Sequence, residues 1–285
     1  MKASAFQYHS PSTVEEVLSL LGQYGGECRL LAGGQSLVPA MLQRLAQPGR
    51  VVDINRIAKA ERPTVVAGRV RIPPLMRHLD FTTESIAGPL GVLMQRLSMC
   101  IGALPIRVRG TFLGGLAHAD PGSHWGLLSV TMGGDMTLRS LERGARTVGA
   151  EDFFQTIWTT ALMDDEMLVE AQIPVLDERA VTGFYQVSRP SQYPQAAALV
   201  VAEHDHVNWA SVRLGICGVE ATPRRLAQVE RALLGQRLDR GIIREAAEAA
   251  SQQIDPLTDP MMSADDRRDL IRACVEAALL EAAGL

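Results

Sequence analysis

Apolar residues recur at helical spacing at Val14, Val17, Leu18 and Leu21, directly after Ser12-Thr13-Val14-Glu15, which reads as a capping box opening a first helix. Arg29-Leu30-Leu31-Ala32 and Val51-Val52-Asp53-Ile54 are short apolar runs that read as strands, with a helix at 37–45 between them. Together they predict a small α/β unit. Residues 64–72 hold two β-rich runs around Gly68 and predict a hairpin that opens a second α/β unit. Helices at 90–100 and 124–132 and strands at 136–138 and 168–173 follow, and Pro174 marks the end of the unit. Beyond it, 183–188, 196–202 and 209–216 read as three strands, with Glu203-His204-Asp205-His206 at a turn. Three helices come last. Thr222 with Pro223 at the first helical position starts one, Asp239 caps the next, and Ser263-x-x-Asp266 starts a third whose Leu270, Ile271, Cys274 and Ala278 share a face. Strands followed by segregated helices make the fold class α+β, with a three-stranded C-terminal sheet. The expected domains are 1–175, divided near 57, and 176–285.

Composition narrows the chemistry. The 285 residues are 47% hydrophobic and 21% charged, enough for two domains with substantial cores. A net charge of -4 with no dense Lys/Arg stripe argues against a nucleic-acid partner. Cys28, Cys100, Cys217 and Cys274 are widely spaced, without the spacing that holds an iron–sulfur cluster, and read as reduced thiols. The N-terminal residues lack the apolar stretch of a secretory signal, and no run is long enough to span a membrane; residence in the cytoplasm is the expectation.

Two glycine-rich segments carry the candidate chemistry. Ala32-Gly33-Gly34-Gln35-Ser36 follows the first strand, and Arg109-Gly110-Thr111-Phe112-Leu113-Gly114-Gly115 leads into Ala117-His118-Ala119-Asp120-Pro121. A glycine pair after a strand exposes successive backbone N–H groups and lets a bulky anion approach, which suits a diphosphate. His204 and His206, two residues apart with no further ligands nearby, read as a polar hairpin tip. His118 and Asp120 read as structural, and Arg143, Arg146 and Arg179 as members of solvated faces.

These segments, in order with Arg44-Leu45-Ala46-Gln47-Pro48, Val52-Asp53-Ile54, Arg77-His78-x-Asp80, Ile101-Gly102, Ile106-Arg107, Asp165-Glu166-x-Leu168, Ile173-Pro174 and Gly215-Ile216-Cys217-Gly218, resemble the FAD-binding medium subunits of the molybdenum hydroxylases. That group includes carbon monoxide and xanthine dehydrogenases, and the resemblance covers nearly the whole chain. It implies that 1–175 binds FAD, with Leu31, Ala32, Gly33, Gly34, Gln35 and Ser36 and then Thr111, Gly114 and Gly115 around the diphosphate and ribityl chain. Ile101 and Leu168 fall on positions that border the flavin or adenine, although either residue suits an ordinary core. Tyr193, after Arg189-Pro190-Ser191-Gln192, falls on an aromatic position that covers one isoalloxazine face. Arg77-His78 falls in a motif that holds the domain together or shapes a subunit contact. No residue is assigned catalysis and none a metal.

The resemblance further implies a small iron–sulfur subunit with [2Fe–2S] clusters, a large subunit with molybdenum and its pterin, and an external electron acceptor, arranged as a dimer of heterotrimers. This chain would relay electrons from the clusters through FAD and would not hydroxylate substrate. Three departures stand out. Leu113 occupies a family glycine, where a positive φ would be costly; His124 replaces an aspartate that approaches the ribityl chain or ring; Gln192 replaces the aspartate before Tyr193. Leu113 and His124 motivate one alternative, an interaction subunit without productive flavin. A stand-alone flavin reductase of related fold is the other.

Overall fold

The computed structural model describes residues 2–57, 62–83, 86–189 and 192–285. The first unit comprises β1 (Gln7–His9), α1 (Val14–Tyr24), β2 (Cys28–Leu31), α2 (Leu37–Leu42) and β3 (Arg50–Asp53). Its strands form a parallel sheet in the order β1-β3-β2. The cap of α1 sits one residue later than expected: Thr13 Oγ1 accepts from the Glu16 N–H, while the Ser12 N–H donates to the Glu16 carboxylate. Val17, Leu18 and Leu21 bury the inner face of α1 against Val52, Ile54 and Met167. β1 went unforeseen because its three residues are largely exposed and carry no apolar alternation. The expected division near 57 adjoins residues outside the described set.

The second unit runs through β4 (Thr64–Val66), β5 (Arg69–Ile72), α3 (Gly88–Cys100), α4 (Leu104–Arg109), α5 (Phe112–His118), α6 (His124–Met132), β6 (Asp135–Ser140), β7 (Gly144–Gly149), α7 (Ala150–Phe153), β8 (Phe154–Thr156), β9 (Thr159–Thr160) and β10 (Met167–Pro174). An antiparallel sheet of order β4-β5-β10-β6-β7 forms its floor. Every residue of α6 is buried. A helix packed on all sides has no polar face, so its sequence shows no stripe.

β11 (Val181–Ser188), β12 (Pro194–His204), β13 (Trp209–Cys217), β14 (Arg224–Arg225), α8 (Ala227–Leu233), α9 (Arg240–Gln253) and α10 (Ala264–Ala283) complete the chain. The C-terminal sheet is four-stranded and antiparallel, β11-β12-β13-β14, which corrects the three strands expected. Thr222-Pro223 leads into β14 and not a helix; Arg224 and Arg225 are held there by Glu220 and Glu230, and α8 begins only at Ala227. Asp239 and Ser263 do cap α9 and α10. β12 is apolar on both faces. Ala196, Ala198, Val200 and Ala202 pack toward the helices, whereas Ala197, Leu199 and Val201 join the core of the preceding unit. Arg96 of α3 reinforces that junction by binding Glu281 of α10 and the Phe184 carbonyl, while the Phe184 N–H donates to Glu281.

Candidate functional site

At the end of β2 the chain turns through Ala32-Gly33-Gly34-Gln35-Ser36 into α2, with Gly34 at φ 72°. The carbonyls nearby are used: Leu31 O accepts from Ile54, Gly34 O from Val38 and Ser36 O from Ala40. Gln35 Nε2 donates to Gly33 O. The backbone N–H groups of Gly33, Gly34 and Gln35 donate to no protein group among the described residues. Such a row of free donors is a cradle for an anion.

The second glycine segment is not a loop. Thr111 is the N-cap of α5, its Oγ1 accepting from the Gly114 N–H at 3.1 Å and its carbonyl from the Gly115 N–H at 2.9 Å. Leu113 therefore has helical backbone and is buried at 5% exposure, so the strain expected of leucine at positive φ does not arise. The helical turn replaces the need for a glycine there.

The two segments are joined directly. A β-carbon on Gly33 would lie 2.7 Å from Gly110 Cα and 2.8 Å from the Arg109 carbonyl carbon. Gly33 is thus required by the opposite backbone, independently of any ligand. Arg77 braces the contact by donating to Arg109 O at 2.5 Å and to Asn55 Oδ1 at 2.6 Å, and Asn55 Nδ2 donates to Ala32 O at 2.8 Å. The Arg77-His78 motif holds this part of the domain together in that concrete sense.

Above the cradle opens a cavity of about 1520 Å³. Ala32, Gly33, Gly34, Gln35 and Ser36, Ile101, Thr111, Gly114, Gly115, Leu168 and Tyr193 all line it. Leu31 does not: it faces an adjoining 350 Å³ recess with Asp53, Asn55 and Arg109, on the other side of the same glycine turn. Leu168 lies at a bulge in β10, a local irregularity that re-aims side chains. Tyr193 directly precedes β12 of the C-terminal sheet, 44% exposed, with its Cβ against Gly122. Its hydroxyl meets Ser36; withdrawal from water, and next Asp120, push the phenol up to about 12. Pro190 and Ser191 of its motif lie outside the described residues.

Further wall residues escaped the sequence reading or were given only structural roles. His78 Nδ1 accepts from Trp125 Nε1 at 2.9 Å, and burial lowers its imidazole to about 4, so it stays neutral. His118 faces the cavity with its pKa lowered by burial against the pull of Asp120. Trp158, 66% exposed, stacks on His118 at 6.4 Å, and its backbone N–H donates to Ala119 O, Trp158 and Ala119 both at positive φ. Arg146 does not simply face solvent: it pairs in bidentate fashion with Glu166, whose side chain is 2% exposed and also accepts from the Met163 N–H. That clamp shapes the far wall, and only proximity in the fold reveals it. His204 and His206 do sit at the β12–β13 turn, where the His206 N–H donates to His204 Nδ1.

The site fits a dinucleotide-sized cofactor. Its volume exceeds the roughly 300–1,000 Å³ of ordinary small-molecule pockets, and it offers free backbone donors at one part and an apolar wall from Ile101, Leu113 and Leu168 at another.

Comparison with known proteins agrees with this reading. Residues 4–176 match the model of the FAD binding domain in molybdopterin dehydrogenase, and 186–282 that of the CO dehydrogenase flavoprotein C-terminal domain. The chain is 30% identical to the carbon monoxide dehydrogenase medium chain of Hydrogenophaga pseudoflava, over 96% of each chain. It is 29% identical to the caffeine dehydrogenase subunit beta of a Pseudomonas species, over 99% of this chain and 96% of the other. Among solved structures, carbon monoxide dehydrogenase from H. pseudoflava lacking the Mo-pyranopterin moiety superposes with a TM-score of 0.94 at 31% identity, covering 99% of this chain and 98% of the other. Quinoline 2-oxidoreductase from Pseudomonas putida superposes at 0.92 with 28% identity, covering 100% and 99%. The chain belongs to the FAD-binding medium subunits of the molybdenum hydroxylases, as an oxidoreductase flavoprotein subunit.

Proposed function

We propose that this chain carries one non-covalent FAD and passes electrons from the [2Fe–2S] clusters of a small partner subunit to an external acceptor, within a heterotrimer completed by a large molybdenum-binding subunit. The observation that carries the reading is the row of unpaired N–H groups at Gly33, Gly34 and Gln35, set against the first turn of α5 at the floor of the 1520 Å³ cavity. Those donors, with Thr111 and Ser36, would hold the diphosphate and ribityl chain. Ile101 and Leu168 would border the flavin, and Tyr193 would cover one isoalloxazine face. FAD supplies the capacity to take up and release electrons. Substrate chemistry belongs to the large subunit, and the complex, a dimer of heterotrimers in this reading, works in the cytoplasm.

Acid release and rapid mixing test the reading. Acid precipitation of the purified complex should free one FAD per chain. Tyr193→Ala should alter the flavin spectrum or its reoxidation rate far more than the rate at which substrate reduces the molybdenum centre. Flavin that stays with the precipitate, or an active complex without flavin, would refute the cofactor assignment. An unchanged spectrum and reoxidation alongside slowed substrate oxidation would remove Tyr193 from the flavin. Leu113 no longer motivates a flavin-free subunit, because its backbone is helical and unstrained.

A further inference from the structure

We propose that Arg267 of α10, steadied by Asp259, is a positioning residue for Tyr193: it closes a slot in which Gly122 and Gly218 grip the chain just after that tyrosine. The proposal rests on the functional reading above, in which Tyr193 covers one isoalloxazine face. The ring lies where its backbone puts it, and that backbone runs into Pro194, which has no N–H to give a sheet. β12 joins β11 here across a register shift, with Ser188 opposite Pro194. The ladder therefore lacks a donor at the residue next to Tyr193, and packing takes over the task. A β-carbon on Gly122 would lie 2.9 Å from the Pro194 carbonyl oxygen and 3.1 Å from Tyr193 Cβ. One on Gly218, which holds φ at 85°, would lie 2.6 Å from the same oxygen and 3.0 Å from the Gln195 carbonyl carbon. The Pro194 carbonyl is thus wedged between two backbones of different units, with no room for a side chain on either.

Arg267 shuts the slot from behind. Its Nη1 donates to Gly218 O at 2.8 Å and reaches Gln195 O at 3.5 Å, and its Nη2 donates to Asp259 Oδ2 at 2.6 Å. The Gly218 N–H donates in turn to Pro121 O at 2.9 Å, next to Gly122. Arg267 is 7% exposed and lies outside the cavity wall, so it acts on the cofactor site only through this backbone. Among the described residues its Nε has no partner. A buried guanidinium with an unused donor is a poor source of stability, because desolvation offsets the attraction of its partners and apolar residues often replace such groups without loss. What its planar fork supplies is direction, holding carbonyl and carboxylate at a fixed angle. The diphosphate cradle lies wholly outside the slot. Loosening the slot should therefore move the ring without emptying the cavity.

Arg267→Met, compared with Tyr193→Ala and with the double variant, tests the clamp in the assembled complex. FAD should stay at full loading, because the cradle at Gly33, Gly34 and Gln35 and the first turn of α5 are untouched. The flavin spectrum should move towards that of Tyr193→Ala, and flavin reoxidation should shift in the same direction by at least about twofold, the lower limit for coupled neighbours. The double variant should match Tyr193→Ala alone, since a clamp has nothing to place once the ring is gone. Arg267→Lys, which keeps the charge but not the fork, should fall between Arg267→Met and wild type. Arg272→Met, which removes an exposed ion-paired arginine of the same helix, is the control and should leave spectrum and rate unchanged. If Arg267→Met does not fold, Asp259→Asn, which leaves both carbonyl contacts in place, carries the test with the same sign. A wild-type spectrum and rate in the folded variant, or effects that simply add in the double variant, would overturn the clamp. A Tyr193→Ala complex with unchanged flavin would instead sink the functional reading of Tyr193, and this inference with it.

Discussion

Gly33→Ala is the sharpest perturbation of the cradle. The added carbon would sit 2.7 Å from Gly110 Cα and 2.8 Å from the Arg109 carbonyl carbon, where non-bonded carbons rest at about 3.5–4.0 Å. The segments must part by about 1 Å to relieve that overlap. Neither neighbour is a flexible side chain, and Arg77 and Asn55 pin both backbones by hydrogen bonds. Overpacking costs typically about 1–3 kcal/mol, and backbone-on-backbone overlap puts this case in the upper half. For a domain of this size each kcal/mol lowers Tm by about 2–4 °C, so a fall of about 4–12 °C is expected without cofactor. FAD affinity should drop by at least about tenfold, because the free donors at Gly33, Gly34 and Gln35 move away from α5. Calorimetry of the deflavinated chain and fluorimetry of acid-released FAD give both numbers. Gly149→Ala, whose β-carbon meets nothing within 4 Å, is the control and should behave as wild type. A Gly33→Ala protein with full flavin and a Tm within about 1 °C of the control would show that the two segments are not in contact, and the reasoning would fall.

Acid should expose the two buried histidines. His78 and His124 stay neutral down to about 4, whereas the unfolded chain protonates them near 6.5. Their contribution is therefore complete above 6.5 and is lost as pH falls towards 4, at up to about 1.4 kcal/mol per pH unit for each. Urea titrations across that range should show the decline, with a shallower slope in His124→Asn; parallel slopes would contradict it. Arg146→Ala strands the buried Glu166 carboxylate with only Arg143, at 3.6 Å, as a nearby cation. A loss of about 1.5–2 kcal/mol is expected, the range for a charge-assisted hydrogen bond screened on its half-exposed Arg146 side, and Glu166→Gln in the same background should recover part of it in a double-mutant cycle.

Local signals explain what was legible from sequence. A glycine pair directly after the Leu30-Leu31 run marked the first segment, because strand, turn and helix start are adjacent in the chain. The Thr111 segment was legible as a site but not as a shape: Gly114 and Gly115 suggested a loop, whereas the Thr111 cap and the buried Phe112, Leu113 and Leu116 make it a helix. β1 and β7 lack buried alternation and exist through their pairings with β3 and β6. Pairings of that kind join residues far apart in sequence, as do Arg146 with Glu166, Arg77 with Arg109 and His124 with Gln186. No window of neighbouring residues contains them.

The meeting of Gly33 with the Arg109–Gly110 backbone joins segments that hang from different sheets, the parallel three-stranded one and the antiparallel five-stranded one. A ligand gripped from both sides acts as a rivet, adding its binding free energy to their attachment: about 2.7 kcal/mol when free ligand stands at a hundred times its Kd. Amide exchange in β2 and β3 should slow on loading in step with the first turn of α5. A rise in flavin fluorescence on release would then register the small sheet swinging loose, well before the body of the protein melts.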